Sequence, residues 1–480
     1  MSFTQVPPGA SVPLIINNKN ISTDIQFDVT NPGTGQVEHK CSSASAKEAT
    51  EAVEAAQAAF PAWSRTKPDA RRDILLRTAD VFVERKEEFL RYMVEETAAE
   101  QMYNEFIFQL GVNLLRDAAG KISGIVGTVP TIAGEGESAI IYKQPYGVIL
   151  GIAPWNAPYI LGTRSVALAL AAGNTTVLKG SELSPKCFWA IGDAFRQAGL
   201  PDGCLNVIYS RPQDAVEVTT TLIAHPALKK LSFTGSTAVG RKIGVIAAQH
   251  IKPVILELGG KAPTIVLDDA NLEKAALGAV LGSFIHSGQV CMCTERIIVH
   301  RSIVDQFRPV LNATIKHIAG GGSGEVVVIN AAAVTKNRNL VRDAVAKGGK
   351  VIAGDPDAPT ASDTRLAPIV VEGVTRDMDI YAEESFGPTV SLFVVDSDEE
   401  AVALANDTEY GLSAAVYTEN LGRALRVAKG IDSGAVHINS MTVHNESVLP
   451  HGGVKNSGFG RFGSDMLDEF LWTKSVTWMD

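Results

Sequence analysis

The stretch YGVILGIAPWNAPYILGTRSVALALAAGNTTVLK, residues 146–179, holds two short apolar runs separated by a segment with a single charge, Arg164. YGVILGIA (146–153) and TTVLK (175–179) are too short for helices and rich in β-branched residues, whereas 157–171 has helical length. Strand, helix and strand in that order form a βαβ unit, whose two strands lie parallel. Residues 144–163 are 20 in a row without a charge, long enough on paper to span a bilayer. Pro145, Pro154, Pro158 and Asn156 interrupt that run, so a membrane span is rejected.

The alternation continues outward. LNVIYS (205–210), KLSFTG (230–235) and VILELGG (254–260) read as strands, between helical segments near 185–198, 212–223 and 237–249. A second α/β block follows Asn271, with strands at TERIIVH (294–300), PIVVEG (368–373), TVSLFVV (389–395) and GAVHIN (434–439). Upstream, 44–60 and 70–100 repeat apolar residues at helical spacing. AGGGSGE (319–325) reads as a surface loop.

The chain has 480 residues, 45% of them hydrophobic and 20% charged, which implies two or three domains and excludes disordered, collagenous and disulfide-scaffold classes. A net charge of −10 without a basic block argues against nucleic acid or an anionic membrane as partner. Five cysteines, an odd and sparse set, read as reduced thiols. With no signal-like run in MSFTQVPPGA at the start, a cytoplasmic location is expected.

Several motifs bear on chemistry. GFGRFG (458–463) matches the dinucleotide glycine spacing, but no strand precedes it and too little chain follows for a βαβ unit. FTGSTAVG (233–240) is the better phosphate candidate, a strand turning through Gly235 into a helix whose first amides are free; its plain alternative is a turn capped by Ser236 or Thr237. In FIHSGQVCMC (284–293) a turn presents Cys291, either as a nucleophile or as a buried apolar thiol. Cys291 and Cys293 have no second ligand pair nearby, so no metal site is expected. Glu257 ends a strand, where it is a general base or a solvated strand end. Asn156, in PWN (154–156), is a helix cap or an oxyanion donor.

Taken in order, PWN, LKGSE (178–182), FTGST (233–237), ELGGK (257–261), GQVC (288–291), EESFGP (383–388) and GGVKNSGFGRFG (452–463) resemble the NAD(P)-dependent aldehyde dehydrogenase superfamily over essentially the whole chain. GQVCMCTERIIV (288–299), KGSE and Arg164 make it most similar to the salicylaldehyde and vanillin dehydrogenase group. The resemblance implies an α/β fold with a parallel Rossmann-type cofactor domain (1–123 and 145–257), a second α/β catalytic domain (258–467) and a small β oligomerisation arm (124–144 and 468–480). A homodimer or homotetramer is expected.

By the same resemblance Cys291 is the nucleophile, Glu257 the base for deacylation and Asn156 the oxyanion donor. Lys179 and Glu182 hold the adenine ribose, Ser236 the pyrophosphate and Glu384 the nicotinamide ribose, with Trp155, Gly235 and Phe386 lining the cofactor cleft. NAD is favoured over NADP, because a carboxylate at Glu182 repels a 2′-phosphate. The expected substrate is an aromatic aldehyde, with a broad-specificity or aliphatic enzyme as the alternative. Gly180 stands for the usual proline, His286 for an asparagine and His451 for a phenylalanine, and the two histidines are expected on the substrate tunnel. Arg164, eight positions after Asn156, is expected at the tunnel wall, holding a phenolic oxygen. Coenzyme A acylation is a nearer enzyme alternative, which the Glu257 base disfavours by pointing to water as the acceptor. Rival classes are a cysteine hydrolase using His286 or His300 with Cys291, and a cofactor-binding protein without turnover.

Overall fold

In the computed structural model, which describes residues 11–319 and 324–480, two sheets dominate. The expected loop at 319–325 falls largely outside the described residues, as does the MSFTQVPPGA segment. The first sheet is built on five parallel strands, Val148–Ile152, Thr175–Lys179, Leu205–Ile208, Leu228–Thr234 and Val254–Glu257. Numbered along the chain, these lie side by side as 3-2-1-4-5, so the order reverses between Val148–Ile152 and Leu228–Thr234. Ligands bind at the carboxyl ends of strands flanking such a reversal. The residues that follow those two strands are Pro154, Trp155 and Asn156 on one side and Gly235 and Ser236 on the other.

The charge-poor segment becomes a fully buried helix, Pro158–Ala171, with Arg164 inside it. A helix apolar all round belongs in a core. It lies so close to its strand that a Cβ on Gly151 would come within 2.8 Å of the Ser165 side chain, which accounts for the glycine. No helix among the described residues is long and apolar enough to cross a membrane. The glycines of GFGRFG serve packing as well. Gly458–Phe459 pairs antiparallel with Leu256 and Glu257, and Gly458 (φ 107°) lies where a Cβ would meet the Leu256 carbonyl.

The second sheet has seven strands, six of them parallel, with Ala262–Val266 and Thr294–His300 near its centre. Glu137–Pro145 and Leu471–Met479 form a separate antiparallel ribbon over nine residue pairs. One reading needs correction. The helix expected over 70–100 is two helices, Pro68–Glu84 and Lys86–Thr97, broken at Arg85, whose guanidinium is tied to Glu88 and Asp193. A further helix, Gln101–Lys121, follows and packs against Pro158–Ala171.

Candidate active site

Cys291 lies in the short connection between the turn at 285–288 and the strand Thr294–His300. The turn is tight: His286 and Ser287 are left-handed (φ 47° and 59°), and a Cβ on Gly288 would meet the Gly387 carbonyl at 2.2 Å. Gln289 fixes it, donating to the His286 carbonyl (3.1 Å) and accepting from the Ile329 amide (2.8 Å). The Asn156 side-chain amide donates to the Gln289 carbonyl at 2.9 Å, which ties the first sheet's reversal point to the cysteine loop. Tyr103 Oη donates to the Asn156 carbonyl at 3.1 Å.

Two cavities meet here. One, of about 330 Å³, is bounded by Trp155, Gly259, Glu384 and Phe386. The other is a narrow tunnel of about 20 Å³ between Tyr103, Phe106, Ile160, Met292, Val443, Asn445 and His451. Asn156, Leu161, Glu257 and Cys291 line both. Burial, followed by the nearby Glu384 carboxylate, pushes the Cys291 thiol up to about 12, while Arg164 works the other way.

Glu257 is 1% exposed and ends the fifth parallel strand. Its Oε1 accepts from His451 Nε2 at 2.6 Å; its Oε2 accepts from Thr234 Oγ1 at 3.2 Å and from Arg164 Nη2. This corrects the expectation for Arg164. It lies 3% exposed behind the tunnel wall, lining none of these cavities, because its guanidinium turns to Glu257 and stacks 4.4 Å above the Phe462 ring. His286 is also off the tunnel. It stacks on Tyr103 with centroids 4.5 Å apart, and burial pushes it down to about 3. His451 does line the tunnel. His300, the other histidine a hydrolase would recruit, bonds instead to Ser302 and to the Asp396 carbonyl.

A third cavity, about 890 Å³, runs on from the first past Trp155 to Lys179, Glu182, Gly235 and Ser236. Ser236 caps the helix Thr237–Gln249, so the positive end of that helix faces the space. A dinucleotide fits this set: a long cleft, a helix N-terminus for phosphates, and Lys179 and Glu182 for ribose hydroxyls. Burial holds Lys179 below its usual range, and Glu182 opposes that shift. At the other end Glu384 Oε1 accepts from the Gly260 amide at 2.8 Å, and burial, with Glu295 nearby, raises Glu384 to about 7. Gly180 donates its amide to the Ile208 carbonyl at 3.0 Å, a bond proline lacks, and the Phe188 ring fills the space a side chain would take.

Sequence reasoning missed Tyr103, Gln289 and Glu295. Glu295 accepts from the amides of Ser385 (2.8 Å) and Phe386 (3.2 Å) and pairs with Lys261, which holds the Glu384 loop against the cavity. Its only signal was a carboxylate inside the strand TERIIVH.

Comparison with known proteins matches residues 20–476 to the aldehyde dehydrogenase family. A vanillin dehydrogenase from Pseudomonas fluorescens is 43% identical over 474 residues, 97% of each chain. A salicylaldehyde dehydrogenase from Pseudomonas sp. (strain C18) is 39% identical, also over 97% of each chain. The crystal structure of a salicylaldehyde dehydrogenase from Pseudomonas putida G7, complexed with salicylaldehyde, superposes with a TM-score of 0.94 at 36% identity, covering 98% of each chain.

Proposed function

Because this chain belongs to the aldehyde dehydrogenase family and is an oxidoreductase acting on aldehydes, we propose that it oxidises an aromatic aldehyde to its carboxylic acid, with NAD as acceptor and Cys291 as nucleophile. The observation that carries this reading is the shared boundary: Cys291, Asn156 and Glu257 each line both the cofactor-sized cavity and the tunnel. The Cys291 thiol loses its proton to water, the thiolate attacks the aldehyde carbon, and the oxyanion formed is stabilised by the Asn156 amide and the Cys291 main-chain amide. The chemistry a bound nicotinamide supplies is acceptance of a hydride from that carbon, which brings it to the acyl level. Glu257 then takes a proton from water, the resulting hydroxide attacks the thioester, the C–S bond breaks, and acid and thiolate are released.

Trp155, Lys179, Glu182, Gly235, Ser236, Glu384 and Phe386 are the residues we assign to cofactor binding, with NAD preferred through Glu182. Support for an aromatic substrate comes from the relatives and from the tunnel, whose apolar wall suits a flat ring while the Asn445 amide offers a donor to ring oxygens. The tunnel's free space at rest is nearer that of one water, so a ring enters by moving side chains. Apolar Tyr142, Val476, Trp478 and Met479, exposed on the ribbon, support the arm (124–144 and 468–480) as the subunit interface of a dimer or tetramer. The testing experiment is NADH formation across aromatic and aliphatic aldehydes with NAD and NADP. We expect kcat/KM for hydroxylated aryl aldehydes to exceed that for aliphatic ones by about tenfold or more, a difference of about 1.4 kcal/mol. Aliphatic preference overturns the aromatic reading, and absence of NADH with every aldehyde overturns the activity.

A further inference from the structure

Arg164 and one of the three departures from the family pattern, His451, meet on one carboxylate. Arg164 comes from the buried helix Pro158–Ala171 and His451 from the segment that runs back to the sheet, and they grip opposite oxygens of Glu257. They are also joined to each other. His451 and Phe462 exchange main-chain hydrogen bonds of 2.7 and 2.8 Å, and the Phe462 ring lies under the Arg164 guanidinium. The Arg164 Nε and Nη1 atoms are buried without a hydrogen-bond partner among the described residues. A guanidinium kept in a core with two of its nitrogens unpartnered is costly, and its one ion pair among the described residues is with Glu257.

We propose that Arg164 and His451 are positioning residues for Glu257, a two-sided clamp that keeps this buried base ionised and aimed for deacylation. The proposal rests on the reading of Glu257 as the base. A carboxylate in a water-poor core prefers to be protonated, and a protonated Glu257 has no capacity to take a proton from water. Arg164 opposes that with its charge. His451 does so with a neutral N–H bond, since burial and the charges of Arg164 and Arg461 hold it well below the usual histidine range. Other titratable groups near Glu257 are Cys291, Glu384 and Lys336 on the cofactor side and Tyr103 in the tunnel, and none bonds to its carboxylate. Thr234 shares Oε2 but carries no charge.

The test uses the full-length enzyme with NAD and its best aldehyde, and measures acylation as the rapid NADH phase and deacylation by quenching the thioester, between about pH 5 and 9. Arg164→Met should leave the amplitude of the rapid phase near one per site, move the acid limb of deacylation up by about one pH unit or more, and slow deacylation at neutral pH by about tenfold. Arg164→Lys should recover part of the shift. His451→Phe should show a smaller shift in the same direction, and His451→Gln, which restores a neutral donor, should return the limb toward wild type. The clamp is overturned if the acid limb of Arg164→Met stays within a few tenths of a unit of wild type, or if acylation and deacylation fall together without a shift. Should Arg164→Met fail to fold, the same criteria apply to the Phe and Gln variants at 451, which alter a residue on the tunnel wall. Glu257→Gln separates the two levels. If it deacylates at the wild-type rate, the base assignment itself has failed; if it stalls while the limb of the clamp variants is unmoved, only the clamp has.

Discussion

The reactivity of Cys291 offers a sharp check on the site. A free cysteine with a pKa of about 8.5 is a few per cent thiolate at neutral pH. With the Cys291 thiol pushed up to about 12, the thiolate fraction in the resting enzyme falls to about one in 100,000 at pH 7. Alkylation by iodoacetamide without cofactor should then be about three orders of magnitude slower than for a free thiol. It should also rise about tenfold per pH unit to at least pH 10 without a plateau. Glu384 refines the curve. It contributes to the shift and itself titrates near 7, so it repels the thiolate above that pH and is neutral below it. Glu384→Gln should accelerate alkylation above about pH 7 and leave the acid side unchanged. Mass spectrometry of the labelled peptide identifies the site, and Cys291 should react before Cys293, whose thiol burial raises further. A plateau with a midpoint below about pH 9 would refute the reasoning, because it would mean that burial is not setting the ionisation of this thiol.

Cys291→Ala should abolish NADH formation while NAD still quenches the fluorescence of Trp155 and the other tryptophans; residual turnover above about one part in a thousand would move the nucleophile elsewhere. Glu257→Gln should release about one NADH per site and then stop at the thioester, which rapid mixing resolves from steady turnover. Glu182→Gln should raise kcat/KM with NADP relative to NAD by roughly tenfold, by removing the charge that meets a 2′-phosphate; an unchanged ratio excludes Glu182 as the discriminator. Arg164→Leu should leave the salicylaldehyde-to-benzaldehyde ratio of kcat/KM within about twofold of wild type, because Arg164 stands behind the tunnel wall; a tenfold drop in that ratio would place the guanidinium on the substrate after all.

The first sheet was legible because its central strands are buried on both faces, and such strands appear in sequence as short uninterrupted apolar runs, VILGI and TTVLK among them. The N-terminal strands Lys19–Ile21, at that sheet's edge, and Gln26–Thr30, in a separate two-stranded ribbon, were not, since their side chains are mostly exposed and carry neither a run nor a clean alternation. The break at Arg85 has no glycine or proline to announce it. It arises from buried ion pairs to Glu88 and Asp193, and Asp193 is over a hundred residues away in the chain. Among site residues, Cys291, Glu257 and Asn156 each sit at a turn after a strand or helix, where local sequence marks them. Tyr103 sits within a long helix and reaches Asn156 and His286 only through tertiary packing.

Arg164 shows where reasoning from one residue at a time stops. The sequence singles it out as the lone charge in a long apolar stretch, and a ligand is a natural partner to infer for such a charge. Its actual partner, Glu257, is 93 residues further along and had been given a separate role. Neither position carries a sign of the other, because the pairing depends on the register that brings Val254–Glu257 beside Leu228–Thr234 and on the helix Pro158–Ala171 packed on the first sheet. His451 adds a third segment to the same carboxylate, from nearly two hundred residues away. A buried charge has to be paired, so Arg164 and His451 are better understood together than apart. An arginine at 164 is a stranded charge unless Glu257 takes it up, and once it does, a donor at 451 satisfies the carboxylate's other oxygen.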